Sequence, residues 1–572
     1  MDVEKAYRNF EQLHLERLLG SQIETNLLTL AAIGGTEIPG SLELPRRFSV
    51  NRVALSETDF QAREHLETQM KEAGMGTVIK HPLGLIGFYE GSDPSLAPVV
   101  MESHFDSVPT AGMYDGTVGT VSAIEVIKHF NENGIKPKRS IIVTALTGEE
   151  SSGFNMALFG SRGIALGLTD SELNQGRPDG PTIKKALEER GFQASDVQKP
   201  FFEKGSLHAV VELHVSQDDR LNKSGHDLAV IKDIAAPRRF QITVGDKLES
   251  SKEPKFANNS YFSVDVHGKV GHSGATPMGD EYRADGFVVM SDILTFSKKI
   301  QERVKEELKQ DIEISIGDLG IEGQAMNKIP GLVSSKIRIS ASSLEAVEFA
   351  NNLLEQFAKL RNTDYARKTA FGGNEPIRIQ QIDQPEVADQ YYDSEKILER
   401  HFRVGEIVKF INFISNKKEY KEAKNVGTVG TYKFDKGQIV LGVDIRGVNK
   451  DSRDEMIMKI MTGLDILKGK GELAYKELAG SGDPVAMDPR LVELAEKTIQ
   501  DNEIGTYVTD FSPAGHDAQN FARAGHPTVM LFIPSRNGGI AHTPEEYSTT
   551  KDLENGARAL ASLVYNLAME QG

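Results

Sequence analysis

From about residue 60 to 240 the chain alternates between two rhythms of apolar and polar positions. AREHLETQMKEAG (62–74) and VGTVSAIEVIKHFNENG (118–134) place apolar residues at helical spacing, and the first stops at a glycine. Between and after them stand short apolar runs: APVVMES (97–103), SIIVTALTG (140–148) and HAVVELHV (208–215). Runs of that length read as buried strands, and strands alternating with helices predict a mostly parallel sheet covered on both faces.

From about 237 the texture changes to period two, in RRFQITVG, NSYFSVDVHG, EISIGDLG and SSKIRISA, interleaved with helices over 287–308 and 343–360. This predicts an α+β unit. A second, weaker copy follows: strand PIRIQQID (376–383), helix SEKILERHF, strands GTVGTYKF and QIVLGVDIRG, then helix SRDEMIMKIMTGL (452–464). SIGDLG pairs with TVGTYK and KIRIS with GVDIR, the pattern of an internal duplication. The alternative is two unrelated ferredoxin-like units. After about 470 the α/β texture returns in PRLVELAEKTIQDN (489–502), PTVMLFI (527–533) and a final helix over 553–569. The fold class is therefore α/β, a discontinuous domain with an inserted α+β domain. Its expected segments are 1–236 and 469–572 for the first domain, with 237–370 and 371–468 as the two inserted copies.

A chain of 572 residues exceeds one hydrophobic core, in keeping with more than one domain. With 66 basic and 83 acidic residues the formal charge is −17, which argues against nucleic acid or an anionic membrane as partner. No apolar stretch reaches the ~20 residues of a membrane helix. The N-terminal MDVEKAYRNFEQLHLERLL reads as a charged amphipathic helix without a secretory apolar core, so the expected location is cytoplasmic. Cysteine is absent, which excludes disulfides, a thiol nucleophile and thiolate ligands. Any metal must be held by histidine and carboxylate, the usual ligands of catalytic zinc.

The polar residues that follow the apolar strands are His104 and Asp106, Asp115, Glu149 and Glu150, His214 and His542. Taken singly, each has an ordinary structural explanation: a satisfied histidine, a turn, an acidic loop. Taken together, three histidines and several carboxylates at strand ends of one α/β domain supply the ligands of a two-metal site. The glycine after Asp115 lets the backbone approach such a site closely.

These residues carry a family resemblance. MESHFDSVPTAGMYDGTVG (101–119) resembles "GSHxDSVPxGGxxDGxxG", and TALTGEESSGFNMALFGSRG (144–163) resembles "NEEGxRFxxxxxGSR". RPDGPTIKKALEERG (177–191), VELHVSQ (211–217), GHSGATPM (271–278), NKIPG (327–331), PAGHDAQNFA (513–522) and IPSRNGGIAHTPEEYS (533–548) follow in the same order. The chain resembles the aminoacylase/carboxypeptidase-type di-metal hydrolases, within them the N-carbamoyl-amino-acid hydrolase and allantoate amidohydrolase branch. The resemblance implies that His104 and His214 hold one metal, Glu150 and His542 the other, and that Asp115 bridges them. It implies two divalent ions, zinc first, with manganese, cobalt or nickel as alternatives. Asp106 would orient His104, and Glu149 would be the general base and later the acid. His272 would help stabilise the oxyanion, and Gln217, Asn327 and His516 would stand near the substrate, although His516 reads equally as a structural histidine.

Departures bear on the substrate. HVSQDD has Ser216 and Asp218 where the branch has glutamate and glycine, and the carboxylate-binding arginine expected thirteen residues after Asn327 is Ser340. Arg338, on the same strand face, and Arg446, in GVDIRG, are the two available replacements. The resemblance thus implies a metal-dependent amidohydrolase acting on a small amino-acid-like amide or carbamoyl compound. Its alternatives are a metallo-dipeptidase or aminoacylase, and an inactive binding relative. The expected assembly is a homodimer through the inserted lid, or a monomer whose duplicated lid complements itself.

Overall fold

The structure is a computed structural model that describes residues 13–571, apart from 41–44, 151–152, 155, 177–179, 250–254, 275, 280, 323–327, 384–392, 469–471 and 479–481. Most of the expected N-terminal helix therefore lies outside the described residues. The first described elements are a 3-10 turn at Leu15–Arg17 and a helix at Gly20–Ala31. The chain forms two compact units, Met1–Ala235 with Pro484–Gly572, and Ala236–Asp483. Among the described residues no helix is long and apolar enough to cross a membrane.

The first unit is built on a nine-stranded sheet. Its strands are β1 (Thr77–His81), β2 (Gly84–Tyr89), β3 (Val99–His104), β4 (Ile141–Leu146), β5 (Ala209–Val215), β6 (Leu228–Ile234), β7 (Val485–Ala486), β8 (Tyr507–Ser512) and β9 (Thr528–Ile533). The order is β7-β6-β9-β5-β3-β4-β2-β1, with β8 pairing parallel to β6. The four central strands β9, β5, β3 and β4 run parallel, and every residue of them is buried. This is the continuous apolar run expected of a strand covered on both faces. The sheet as a whole is mixed, because β1 and β2 form a tight hairpin whose second strand pairs antiparallel to β4.

Helices cover the sheet. α1 (Glu57–Glu72) starts where the Ser56 hydroxyl accepts the Asp59 N–H, and α2 (Thr117–Glu132) follows the loop after β3. α3 (Thr550–Met569) opens with a capping box of Thr549 and Asp552, the reciprocal pairing that satisfies two end donors.

The second unit holds two large antiparallel sheets and a short two-stranded one, Gly271–His272 with Lys328–Ile329, among the described residues. The first has the order Ile312–Ile316, Leu332–Ala341, Asn258–His267, Ile377–Ile382, and the second Val426–Asp435, Gln438–Gly447, Ala236–Val244, Leu473–Glu477. Each follows the same chain pattern, strand-helix-strand-strand-helix-strand, with helices Gly286–Leu308 and Leu344–Ala366 in one and Ser394–Ser415 and Lys450–Lys468 in the other. They are not arranged in tandem. The strand Ala236–Val244 pairs with Gln438–Gly447 and Leu473–Glu477, so it opens the sheet that closes the unit. Strand Ile377–Ile382, which the sequence pattern assigns to the second copy, pairs instead with Asn258–His267. The first copy is thus nested inside the second, and the expected breaks at 370/371 and 468/469 are corrected. The latter falls at 483/484, because Leu473–Glu477 is bonded into the second unit. Helices 286–308 and 394–415 cross at close range. A Cβ on Gly405 would lie 2.7 Å from Thr295 Cγ2 and 2.9 Å from the Ser291 carbonyl oxygen.

Candidate metal centre

His104 ends β3, His214 lies near the end of β5, Glu149 and Glu150 follow β4, and His542 lies in the loop after β9. These are four adjacent parallel strands, so residues far apart in sequence converge at the carboxyl edge of the sheet. Asp115 enters from the loop between β3 and α2. Its Oδ1 lies 3.5 Å from His104 Nε2 and 3.2 Å from His214 Nε2, and its Oδ2 lies 3.4 Å from His542 Nε2. His542 Nε2 is also 3.2 Å from Glu150 Oε1. The result is two triads of buried ligand atoms, His104–Asp115–His214 and Asp115–Glu150–His542, with Asp115 common to both.

The donor set fits a pair of divalent ions. Asp115 Oδ1 is buried with no assigned hydrogen-bond donor, and the Nε2 atoms of His214 and His104 stand 3.2 and 3.5 Å from it. The backbone is shaped for the same purpose. Gly116 has φ +67°, and a Cβ there would sit 2.2 Å from His104 Nε2. His542 itself adopts φ 64°, a left-handed conformation that a non-glycine residue holds only under constraint.

Asp106 does not act as the sequence implied. Its carboxylate is 3.6 Å from His104 Nδ1, beyond hydrogen-bond range, and the ring nitrogen instead meets the Asp106 backbone carbonyl at 3.1 Å. The carboxylate accepts three successive backbone N–H groups, from Gly148 (2.8 Å), Glu149 (3.2 Å) and Glu150 (3.3 Å). Asp106 therefore fixes the loop that carries the two glutamates, while its main chain sets the imidazole. His214 is held the same way, Nδ1 to the Val215 carbonyl at 2.8 Å.

Glu149 Oε2 lies 3.9 Å from His104 Nε2. Burial, partly offset by His104 and reinforced by Glu150, holds the Glu149 carboxyl well above the usual carboxylate range. Burial and then Asp115 push Glu150 up as well. Burial also opposes ionisation of Asp115, but the imidazoles of His104, His214 and His542 outweigh it and hold that carboxyl well below the usual range. Glu149 and Glu150 are thus shifted in the same direction and Asp115 in the opposite one.

Gln217, expected near the substrate, donates from Nε2 to Asp115 Oδ2 at 2.8 Å. His516 is buried, packs edge-on against the His214 ring with centroids 4.5 Å apart, and meets the Ser512 hydroxyl at 2.8 Å. It stands behind the centre. The other expected residues belong to the second unit. Arg446 is buried and forks onto Asp444, with Nη2 2.9 Å from Oδ2, and Asp444 also accepts the Ser273 hydroxyl. Arg338 Nη2 lies 3.9 Å from Glu313 Oε2. His272 is on a short strand paired with Lys328–Ile329, and Asn327 lies outside the described residues.

One important residue escaped the sequence reading. Glu546 accepts the backbone N–H of His542 (2.6 Å) through Oε1, and those of Tyr114 and Asp115 (3.3 Å each) through Oε2. It ties the loops of two ligands together. Burial and then Asp115 push its carboxyl up to about 8. The only sequence signal was its place four residues after His542, in a stretch that reads as a solvated PEE turn.

A buried parallel sheet presenting imidazoles and carboxylates at its carboxyl edge offers two groups of buried side chains that could hold metal ions. The profile of Peptidase family M20/M25/M40 matches residues 100–566, and the chain belongs to that family, as a hydrolase of carbon–nitrogen bonds. The allantoate amidohydrolase of Bacillus subtilis (strain 168) is 25% identical over 520 residues, spanning 91% of this chain and 93% of that protein. The ureidoglycolate hydrolase of Arabidopsis thaliana is 25% identical over 532 residues, spanning 91% and 83%. Among solved structures, an amidase of the hydantoinase/carbamoylase family from Burkholderia multivorans shares the fold, with a TM-score of 0.56 and 22% identity over 96% of this chain and 98% of that one.

Proposed function

We propose that the chain is a two-metal amidohydrolase that cleaves a linear amide or carbamoyl carbon–nitrogen bond of a small amino-acid-like molecule, such as an N-carbamoyl amino acid or an allantoate-like ureide. The observation that carries this reading is the pair of ligand triads sharing Asp115, with Glu149 beside them. The names of the relatives, an allantoate amidohydrolase, a ureidoglycolate hydrolase and an N-carbamoyl-L-amino-acid amidohydrolase, support the substrate class.

His104 and His214 would hold one ion and Glu150 and His542 the other, with Asp115 on both; zinc is first choice, and manganese, cobalt and nickel suit the same donors. When bound, such a pair supplies Lewis acidity that makes water nucleophilic near neutral pH and polarises the scissile carbonyl. Glu149, with its raised proton affinity, takes the proton of the attacking water at a carboxylate oxygen and returns it to the leaving nitrogen. Gln217 steadies Asp115, and Asp106 keeps Glu149 in place. His272 and Asn327 are assigned to the substrate's oxyanion and polar groups, and Arg446, or Arg338 in its stead, to its carboxylate. The two copies in the second unit favour a monomer with a self-complementing lid over a homodimer, and the cytoplasm is the proposed location.

The test is a panel of N-carbamoyl amino acids, allantoate, ureidoglycolate and dipeptides, run on chelated protein and again after adding Zn²⁺ or Mn²⁺. Metal-dependent release of ammonia or amino acid from the carbamoyl or ureido compounds is expected. Turnover of dipeptides alone would move the assignment to a dipeptidase, and folded protein that binds no metal would end it. An Arg446→Ala protein whose KM for carboxylated substrates is unchanged would remove that residue from the site.

A further inference from the structure

Behind the loop that carries Glu149 and Glu150 runs a closed circuit of buried hydrogen bonds. Asp59 and Arg63 stand four residues apart in α1, so their side chains share one face of the helix. Arg63 Nε donates to Asp59 Oδ2 at 2.9 Å. Its Nη1 donates to the carbonyls of His81 (3.2 Å) and Pro82 (2.9 Å), where β1 turns into β2. The other Asp59 oxygen, Oδ1, accepts the hydroxyl of Thr147, the residue that follows β4. The Thr147 N–H closes the circuit by donating to the Leu83 carbonyl at 3.1 Å, in that same turn. Asp59 and Thr147 are fully buried and Arg63 almost so. Bonds buried in this way hold their geometry, because a group that lets go finds no water to replace its partner.

Thr147 stands two residues before Glu149, and between them is Gly148 at φ +82°. A glycine is a loose joint, so the direction of the Glu149 backbone is set only when the chain is held on both sides of it. The far side is held by the turn at Leu158. The Leu158 N–H donates to the Glu149 carbonyl at 2.8 Å, and the Phe159 N–H to the Gly148 carbonyl at 2.9 Å. Thr147 holds the near side, through its hydroxyl on Asp59 and its N–H on Leu83.

We propose that Asp59 is a positioning residue for Glu149. Braced by Arg63 and holding the Thr147 hydroxyl, it fixes the strand side of the Gly148 joint and so the reach of the glutamate that moves the proton. Its effect on rate rests on the two-metal reaction proposed above; its effect on the loop rests on the hydrogen bonds alone.

The test compares Thr147→Val, which keeps the shape and removes the hydroxyl, with Thr147→Ser, which keeps the hydroxyl, in full-length protein loaded with Zn²⁺. Amide hydrogen exchange over residues 148–150, read by mass spectrometry, is expected to quicken in Thr147→Val and to stay at the unaltered rate in Thr147→Ser. Misplacing a reacting group by about 1 Å costs on the order of 10²-fold, so kcat of Thr147→Val is expected to fall by about 10–100-fold. KM is expected to stay unchanged, and the serine variant to retain kcat. If Thr147→Val fails to fold, Asp59→Asn, which keeps the shape of the carboxylate and loses its charge, takes its place with the same expectations. Exchange at the unaltered rate, an unchanged kcat, or a loss that the serine variant shares would each overturn the inference. Unaltered protein that turns over no member of the substrate panel would instead sink the two-metal reading, and the exchange comparison would then decide whether Asp59 sets the loop.

Discussion

The carboxylate of Asp106 receives the backbone N–H of Glu149 at 3.2 Å, so the residue proposed to move the proton is positioned through its main chain. Asp106→Asn would turn an NH₂ group toward at least one of the three N–H donors now satisfied. Such a buried mismatch costs about 1–3 kcal/mol. Loss of a residue that supports metal ligands typically lowers metal affinity or activity by about 10–100-fold. Denaturant titration and zinc competition with a chelator should show both effects together. A variant with unchanged stability and zinc affinity would contradict the role.

Glu149→Gln keeps the shape of the loop and removes the proton acceptor. General-base catalysis is worth roughly 10²–10⁴-fold, so kcat is expected to fall by that amount while the zinc content stays at its unaltered level. A variant retaining more than a tenth of the activity would exclude Glu149 as base.

Gly116→Ala places a methyl group within 2.2 Å of His104 Nε2 at a backbone φ of +67°. The imidazole must move or the loop must open, so the variant should bind one fewer zinc ion per chain. Equilibrium dialysis measures this directly, and an unchanged ion count would show that the loop can yield.

His401, in the helix Ser394–Ser415, offers a pH probe far from the metal ligands. It is fully buried, its Nδ1 meets the Ile397 carbonyl at 3.0 Å and its Nε2 the Tyr432 hydroxyl at 3.1 Å. Burial lowers its pKa from 6.5 to about 4. The native state therefore favours the neutral ring. The stability contribution is fully present above pH 6.5 and is lost as pH falls toward 4, by about 3 kcal/mol in total. Chemical denaturation at pH 7 and at pH 4.5 should show a smaller loss for His401→Gln than for the unaltered protein. Equal losses would show that other groups dominate.

The sheet and the cluster of candidate ligands were legible because each depends on local signals. An apolar run marks β3, β4, β5 and β9, and polar residues at or after their ends converge at one edge of the sheet. What was hidden depends on pairing across long stretches of chain. The partner of PIRIQQID cannot be read from its own alternation, which serves either sheet equally well. Glu102 and Glu212 become neighbours only once the register of β3 and β5 is known. Asp106 was expected to orient His104 through its carboxylate, but the carboxylate serves the backbone of the next loop and the Asp106 carbonyl meets the imidazole. Glu546 looked like any acidic turn residue until its three backbone donors were in view.

The nesting of the second unit sets an order of events on the ribosome. Strand Ala236–Val244 is synthesised before the whole inner copy, yet its partner Gln438–Gly447 emerges about 200 residues later. At 5–20 residues per second that is a delay of roughly 10–40 s, during which the inner copy can complete its own sheet while the early strand waits unpaired. A longer gap, about 310 residues, separates β5 from its neighbour β9, the last strand to emerge. Translation speed and chaperone capture of these waiting strands, more than the stability of the finished fold, should therefore govern how much active protein a cell obtains.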